Sequence, residues 1–126
     1  GERNAVMLGC ASHIAGFVAI GLVSEGWMAL ALTPLAALGS IAPPALQGIM
    51  SRRASDDQQG ELQGLISSIN AVATILAPLL VTQTFWFFTK EDAPIYAPGA
   101  PFMLSAMMIL AAIIVFTRTP RAKQIA

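Results

Sequence analysis

The 126 residues are 56% apolar and only 11% charged, against about 25% charged in an ordinary soluble domain. Seven Lys and Arg balance seven Asp and Glu, so no excess of either sign points to nucleic acid. The charges are also confined to a few short segments: residues 4–24, 26–51, 62–89 and 93–117 contain none, and each is long enough for the ~20 helical residues that cross a hydrocarbon layer. These features exclude a soluble enzyme and predict an all-α integral membrane fold with four transmembrane helices.

The first expected span, residues 5–23, is longer than the apolar run of about 7–15 residues in a secretory signal. Its Ser12 and Gly16 are four apart, a spacing that admits a close neighbouring helix. Cys10 and His13 lie one turn apart on it. The chain has one cysteine, which rules out an internal disulfide, and two ligands do not make a zinc site. No metal or cofactor is expected. An ionisable side chain inside a span usually marks a substrate or proton pathway, which makes His13 the leading site candidate. The plainer reading is a neutral imidazole bonded to a neighbouring helix.

The short connection Ser24-Glu25-Gly26 forces the second span, residues 27–50, to run antiparallel to the first. Pro34, Pro43 and Pro44 each remove a backbone donor, and Pro43-Pro44 frees the carbonyls of Gly39 and Ser40, so a bend is expected there. Thr33, Ser40, Pro44, Gln47 and Ser51 fall along one side at about 100° per residue. That polar stripe makes Ser40 and Gln47 candidates to line a cavity, with interhelical hydrogen bonds as the plainer role.

Residues 52–60 form the most polar segment. Ser55 and Gln58 have capping-box spacing, and Asp56 and Asp57 would occupy a positively polarised first turn. Arg52, Arg53, Asp56 and Asp57 read either as a gating charge network or, more plainly, as a solvated loop whose arginines set topology. The third span, residues 62–88, carries a second stripe of Ser67, Asn70, Thr74, Pro78 and Thr82. Asn70 and Thr74 join the cavity-lining candidates, and Pro78 joins Pro43 and Pro44 as helix-shaping.

The next loop holds Lys90, Glu91, Asp92 and the prolines 94 and 98. The fourth span, residues 101–117, starts on Pro101, a position that tolerates proline. Met103, Met107 and Met108 are expected to face lipid or other helices. With both termini cytoplasmic, Arg3, Arg52, Arg53, Arg118, Arg121 and Lys123 lie inside and Lys90 outside, in accord with the positive-inside rule. Trp27, Trp86 and Tyr96 then gather at the outer boundary.

Several segments in order resemble the tetracycline-efflux branch of the major facilitator superfamily. These are Ser24-Glu25-Gly26-Trp27, Pro44-Ala45-Leu46-Gln47-Gly48, Gln59-Gly60-Glu61-Leu62-Gln63-Gly64 and Ala77-Pro78-Leu79-Leu80, in which Ala77 replaces a glycine. Gly1-Glu2-Arg3 is similar to the end of the family's loop signature between helices eight and nine. The resemblance runs to about residue 120. It implies helices nine to twelve of a twelve-helix, proton-coupled exporter in the bacterial inner membrane, with substrate bound between two six-helix halves. The expected partners are the lipid bilayer, the missing N-terminal eight helices, a small-molecule substrate and protons. The piece alone is expected to be inactive.

One position departs from the family. Tetracycline exporters carry an Asp twelve residues before the Glu of the Ser-Glu-Gly-Trp motif, and here that position is His13. An imidazole alternates between neutral and positive forms, not negative and neutral, which argues against cationic tetracycline–metal chelates as substrate. No Ser-His-Asp set, phosphate-cradling loop or enzymatic carboxylate pair is present, so no enzyme is expected. The alternative is a small stand-alone four-helix membrane protein, acting as an oligomeric exporter or an assembly subunit. Exporters of that kind usually carry a membrane-embedded carboxylate, and these spans have none.

Overall fold

The computed structural model describes residues 1–119, and all regular structure among them is helical. Arg121 and Lys123, two of the six basic residues expected inside, lie outside the described residues. The helices are α1 (Glu2–Leu22), α2 (Gly26–Leu38), α3 (Ala42–Ser51), α4 (Gln59–Thr89) and α5 (Ala100–Arg118). A 3-10 turn, Gly39–Ile41, joins α2 to α3, and another, Asp56–Gln58, leads into α4. Four helical units are long and apolar enough to cross a membrane, with α2, the turn and α3 together forming the second. The chain is a multi-pass membrane protein.

The break in the second unit falls at Pro43-Pro44. Two consecutive prolines withhold two adjacent amide donors, so the α-helical ladder cannot continue past Gly39 and Ser40. The 3-10 turn recovers one acceptor, since the Ala42 amide donates to the Gly39 carbonyl. Single prolines act differently. Pro34 sits inside α2 and Pro78 inside α4, and both helices remain continuous. Each of these prolines withholds only one bond, and the flanking turns carry the helix across it.

α1 is the centre of the assembly and packs on α5, α2 and α3, whereas among the described residues α4 packs only on α5, the end of α3 and the turn before itself. The interior is made of small residues. Val6, Gly9, Gly16, Gly39, Ala42, Pro101 and Ala106 are buried, while Leu22, Trp27, Leu30, Ile75 and Val115 are exposed. This inverts the pattern of a soluble core. Lipid tails are as apolar as leucine, so helices associate through close backbone approach and packing, without a hydrophobic driving force between them.

The ends group into two layers. At one, Glu2 pairs with Arg52 at 2.8 Å, and the Arg3 guanidinium donates to the Phe116 and Thr117 carbonyls while covering the Phe116 ring. At the other, α1 meets the start of α5 so closely that a Cβ on Gly99 would coincide with the Gly21 carbonyl. Met103 lies over Gly21 at this crossing, while Met107 and Met108 are exposed. Trp27, Trp86 and Tyr96 are exposed in the second layer, and Lys90 lies over the Trp86 and Phe87 rings. Among the described residues, Arg3, Arg52, Arg53 and Arg118 thus share one layer, and Lys90 lies in the other.

Candidate functional site

His13 sits near the middle of α1, about 16 Å along the axis from Glu2 at about 1.5 Å per residue. Gly39 lies near the middle of the second membrane unit, Gly26–Ser51. The two meet at mid-depth. A Cβ built on Gly39 would fall on the imidazole itself, so the ring occupies the space that any other residue at 39 would fill. On its own helix the ring stacks on Phe17, with centroids 5.4 Å apart and planes inclined at 25°. Phe17 in turn tilts against Phe102 of α5 at 6.2 Å. His13 is half-buried and has no side-chain hydrogen bond among the described residues.

The His13–Gly39 contact is the central rung of a seam. On one side of it, a Cβ on Gly9 would lie 2.8 Å from the Ala42 nitrogen; on the other, a Cβ on Gly16 would lie 2.9 Å from the Ala36 Cα. The outer rungs thus put a glycine of α1 against an alanine, and the middle rung reverses the sizes, with a ring on α1 against a glycine. The close approaches are at Gly9 and Gly16, seven residues apart, and the expected Ser12–Gly16 spacing does not describe them. The signal available in the sequence was this heptad spacing, set against Ala36, Gly39 and Ala42 at intervals of three.

The other candidates are scattered. Ser40 adjoins the seat of His13 but turns its hydroxyl back to the Ala37 carbonyl at 2.7 Å. Gln47 donates through Nε2 to Gln63 Oε1 at 3.2 Å, bridging α3 to α4. Asn70 and Thr74 lie on the exposed surface of α4, where the Thr74 hydroxyl bonds the Asn70 carbonyl at 2.8 Å. Because α4 does not pack on α1 or α2 among the described residues, the two polar stripes are not brought together: Gln47 reaches Gln63, outside the second stripe, and Asn70 and Thr74 do not reach His13.

Of the two readings of the loop, the structure does not assemble Arg52, Arg53, Asp56 and Asp57 into one charge network, and Arg52 is largely exposed. Arg52 is drawn to Glu2, a residue fifty positions away, and the described residues place no carboxylate against Arg53. Asp57 instead takes a hydrogen bond from the Ser55 side chain and one from its own amide, which hold its carboxyl below the usual range. Ser55 and Gln58 form the capping box. Gln59, not singled out from the sequence, secures the junction. Its Nε2 donates to the Ser51 and Ala54 carbonyls at 2.7 and 3.1 Å, and its Oε1 accepts from the Ser51 hydroxyl at 2.9 Å.

A cleft of about 390 Å³ lies between α1, α4 and α5, lined by Phe17, Val81, Thr82, Phe85, Phe102 and Ser105 among others. No group of three or more His, Cys, Asp or Glu suited to a metal ion occurs among the described residues.

The chain is 39% identical over 85 residues to tetracycline resistance protein class C of Escherichia coli, a match covering 68% of this chain and 22% of that protein. It is 42% identical over 80 residues to the class B protein of Escherichia coli, covering 64% and 20%. It is also 30% identical over 138 aligned residues to hippocampus abundant transcript-like protein 1 of Mus musculus, covering 98% and 27%. The chain therefore spans about a quarter of the length of the curated relatives it matches. No family model matches it, and no solved structure does.

Proposed function

We propose that these helices are the carboxy-terminal part, helices nine to twelve, of a major facilitator exporter that drives a small molecule out across the bacterial inner membrane in exchange for protons. The observation that carries this reading is the state of α4. It is a 31-residue apolar helix with no buried residue, and its Asn70 side chain has no partner among the described residues. A polar side chain held in hydrocarbon seeks another helix or a water-filled cavity. In this reading the remaining helices of a longer chain cover α4 and turn the Asn70–Thr74 face toward a central cavity. The identity to tetracycline resistance proteins supports it, as does a titratable residue at mid-depth beside a broken helix, the setting in which transporters bind substrates and ions.

His13 is the proposed proton carrier or substrate contact. An imidazole alternates between neutral and cationic forms, so the site would favour a neutral or anionic substrate over a cationic chelate. Basic residues at the Glu2–Arg52 layer support a cytoplasmic position for that side, by the positive-inside rule. Proton-driven uptake into inverted membrane vesicles tests the reading in the full-length exporter. His13→Ala should abolish the transport that follows an imposed pH gradient; unchanged transport would sink the proposed role of His13.

A further inference from the structure

We infer that Gly39 is the positioning residue for His13: the gap left by its missing side chain is the seat that fixes the imidazole at mid-depth and ties it to the break in the second membrane unit. The inference rests on the proposed role of His13 for its functional meaning, but its geometry stands separately.

Three observations support it. The first is steric. No Cβ fits at Gly39 while His13 keeps its place, and the conflict is with the body of the ring, which a small rotamer change does not move aside. The second is that the ring is held on two sides, by Gly39 across the helix interface and by the Phe17 stack within α1. With no side-chain hydrogen bond to it among the described residues, shape does the positioning. The third is location. Gly39 is the first residue of the 3-10 turn Gly39–Ile41, so the surface that seats the imidazole is also the point where α2 gives way to α3. A change at Gly39 therefore acts on the ring and on the break at the same point. Gly39 has ordinary helical dihedrals, φ −65° and ψ −23°, so its backbone conformation does not require glycine.

Other titratable groups near the ring are few. On α1 the neighbour is Cys10, one turn away. The segment Gly26–Ser51 contains no titratable side chain, and the one on α5 is Arg118, at the helix end far from His13. A change in the protonation behaviour of His13 on altering residue 39 therefore reports its seat and no second charge.

The chain has a single histidine, so isotope-labelled histidine in the protein reconstituted in lipid bilayers yields one imidazole signal. In the parent chain, that signal should show the ring-current shift of the Phe17 stack. Gly39→Ala should remove this shift, displace the pH profile of the signal, and reduce the folded-to-unfolded ratio by about tenfold, the order for overpacking by one methyl group. Alanine is the better helix former, so the loss runs against backbone propensity and reports the clash. Should Gly39→Ala fold too poorly for spectroscopy, the double variant His13→Ala/Gly39→Ala decides the matter. It should fold as well as His13→Ala alone, because the methyl group then has room. An unaltered signal and pH profile in Gly39→Ala would overturn the inference, and so would a double variant no better folded than Gly39→Ala. Normal transport by His13→Ala would remove the proposed proton role and leave the seat intact, so the two failures are distinct.

Discussion

Replacing Gly9 by alanine adds one methyl group where α1 lies closest to α3. The new Cβ would stand 2.8 Å from the Ala42 nitrogen and 2.9 Å from the Ala42 Cβ, whereas relaxed contacts between carbons lie at about 3.5–4.0 Å. The helices must part there by roughly 1 Å, and a gap of about 0.5–1 Å already forfeits a quarter to a half of each neighbouring dispersion contact. Overpacking of this kind costs about 1–3 kcal/mol, offset by the ~1 kcal/mol by which alanine exceeds glycine as a helix former. A net loss of about 1 kcal/mol is expected, close to a fivefold change in the folding equilibrium. Gly64 is the control. It lies in α4 with nothing within 4 Å of an added Cβ, so alanine there should stabilise by up to about 1 kcal/mol. Titrating the chain in mixed micelles with a denaturing detergent, followed by helicity, compares the variants directly. Gly9→Ala as stable as the parent, or Gly64→Ala more damaging than Gly9→Ala, would refute the reasoning.

Three further outcomes follow from the loop side. Glu2→Gln breaks a pair whose arginine is 76% exposed, so it should cost under about 1 kcal/mol, and the difference should vanish in high salt. Gln59→Ala removes two hydrogen bonds to Ser51 at the end of α3 and one to Ala54 in the loop; a loss of about 1–3 kcal/mol should appear as faster amide exchange across residues 52–62. Ser55→Ala should raise the Asp57 pKa toward the ordinary carboxylate value. The folded state depresses this group, so its contribution is present above the unfolded pKa and lost as pH falls through the folded one. Titration of the Asp57 carboxyl by NMR, with and without Ser55, checks both the direction and the pH window.

The four spans and the break at Pro43-Pro44 were legible because each depends on a local property, either the absence of charge over a length or the absence of amide donors at a point. The seam was not, because it depends on how two helices are rotated and set against each other. Gly9 and Gly16 carry no chemistry of their own, and Gly39 takes its meaning from a ring twenty-six positions away. The Glu2–Arg52 pair escaped for a similar reason. Arg52 has Asp56 and Asp57 close by in sequence, but those carboxylates open the helix leading into α4, while antiparallel packing carries Glu2 to the end of α3. His13 stood out at once as an ionisable residue in a span. Asn70 and Thr74 were grouped with it by polarity, and α4, packed on α5 at the edge of the assembly, holds them apart from it.

The central claim is that these helices belong to a longer exporter, and the mass of the native product tests it most directly. An 85-residue match filling 22% of the class C protein makes that relative about three times as long as this chain. An antibody raised against residues 118–126 should therefore detect, in native membranes, a band about three times the 13.2 kDa of these residues. A single band at 13.2 kDa would contradict the account and leave the exposed surface of α4 to a second copy or another protein.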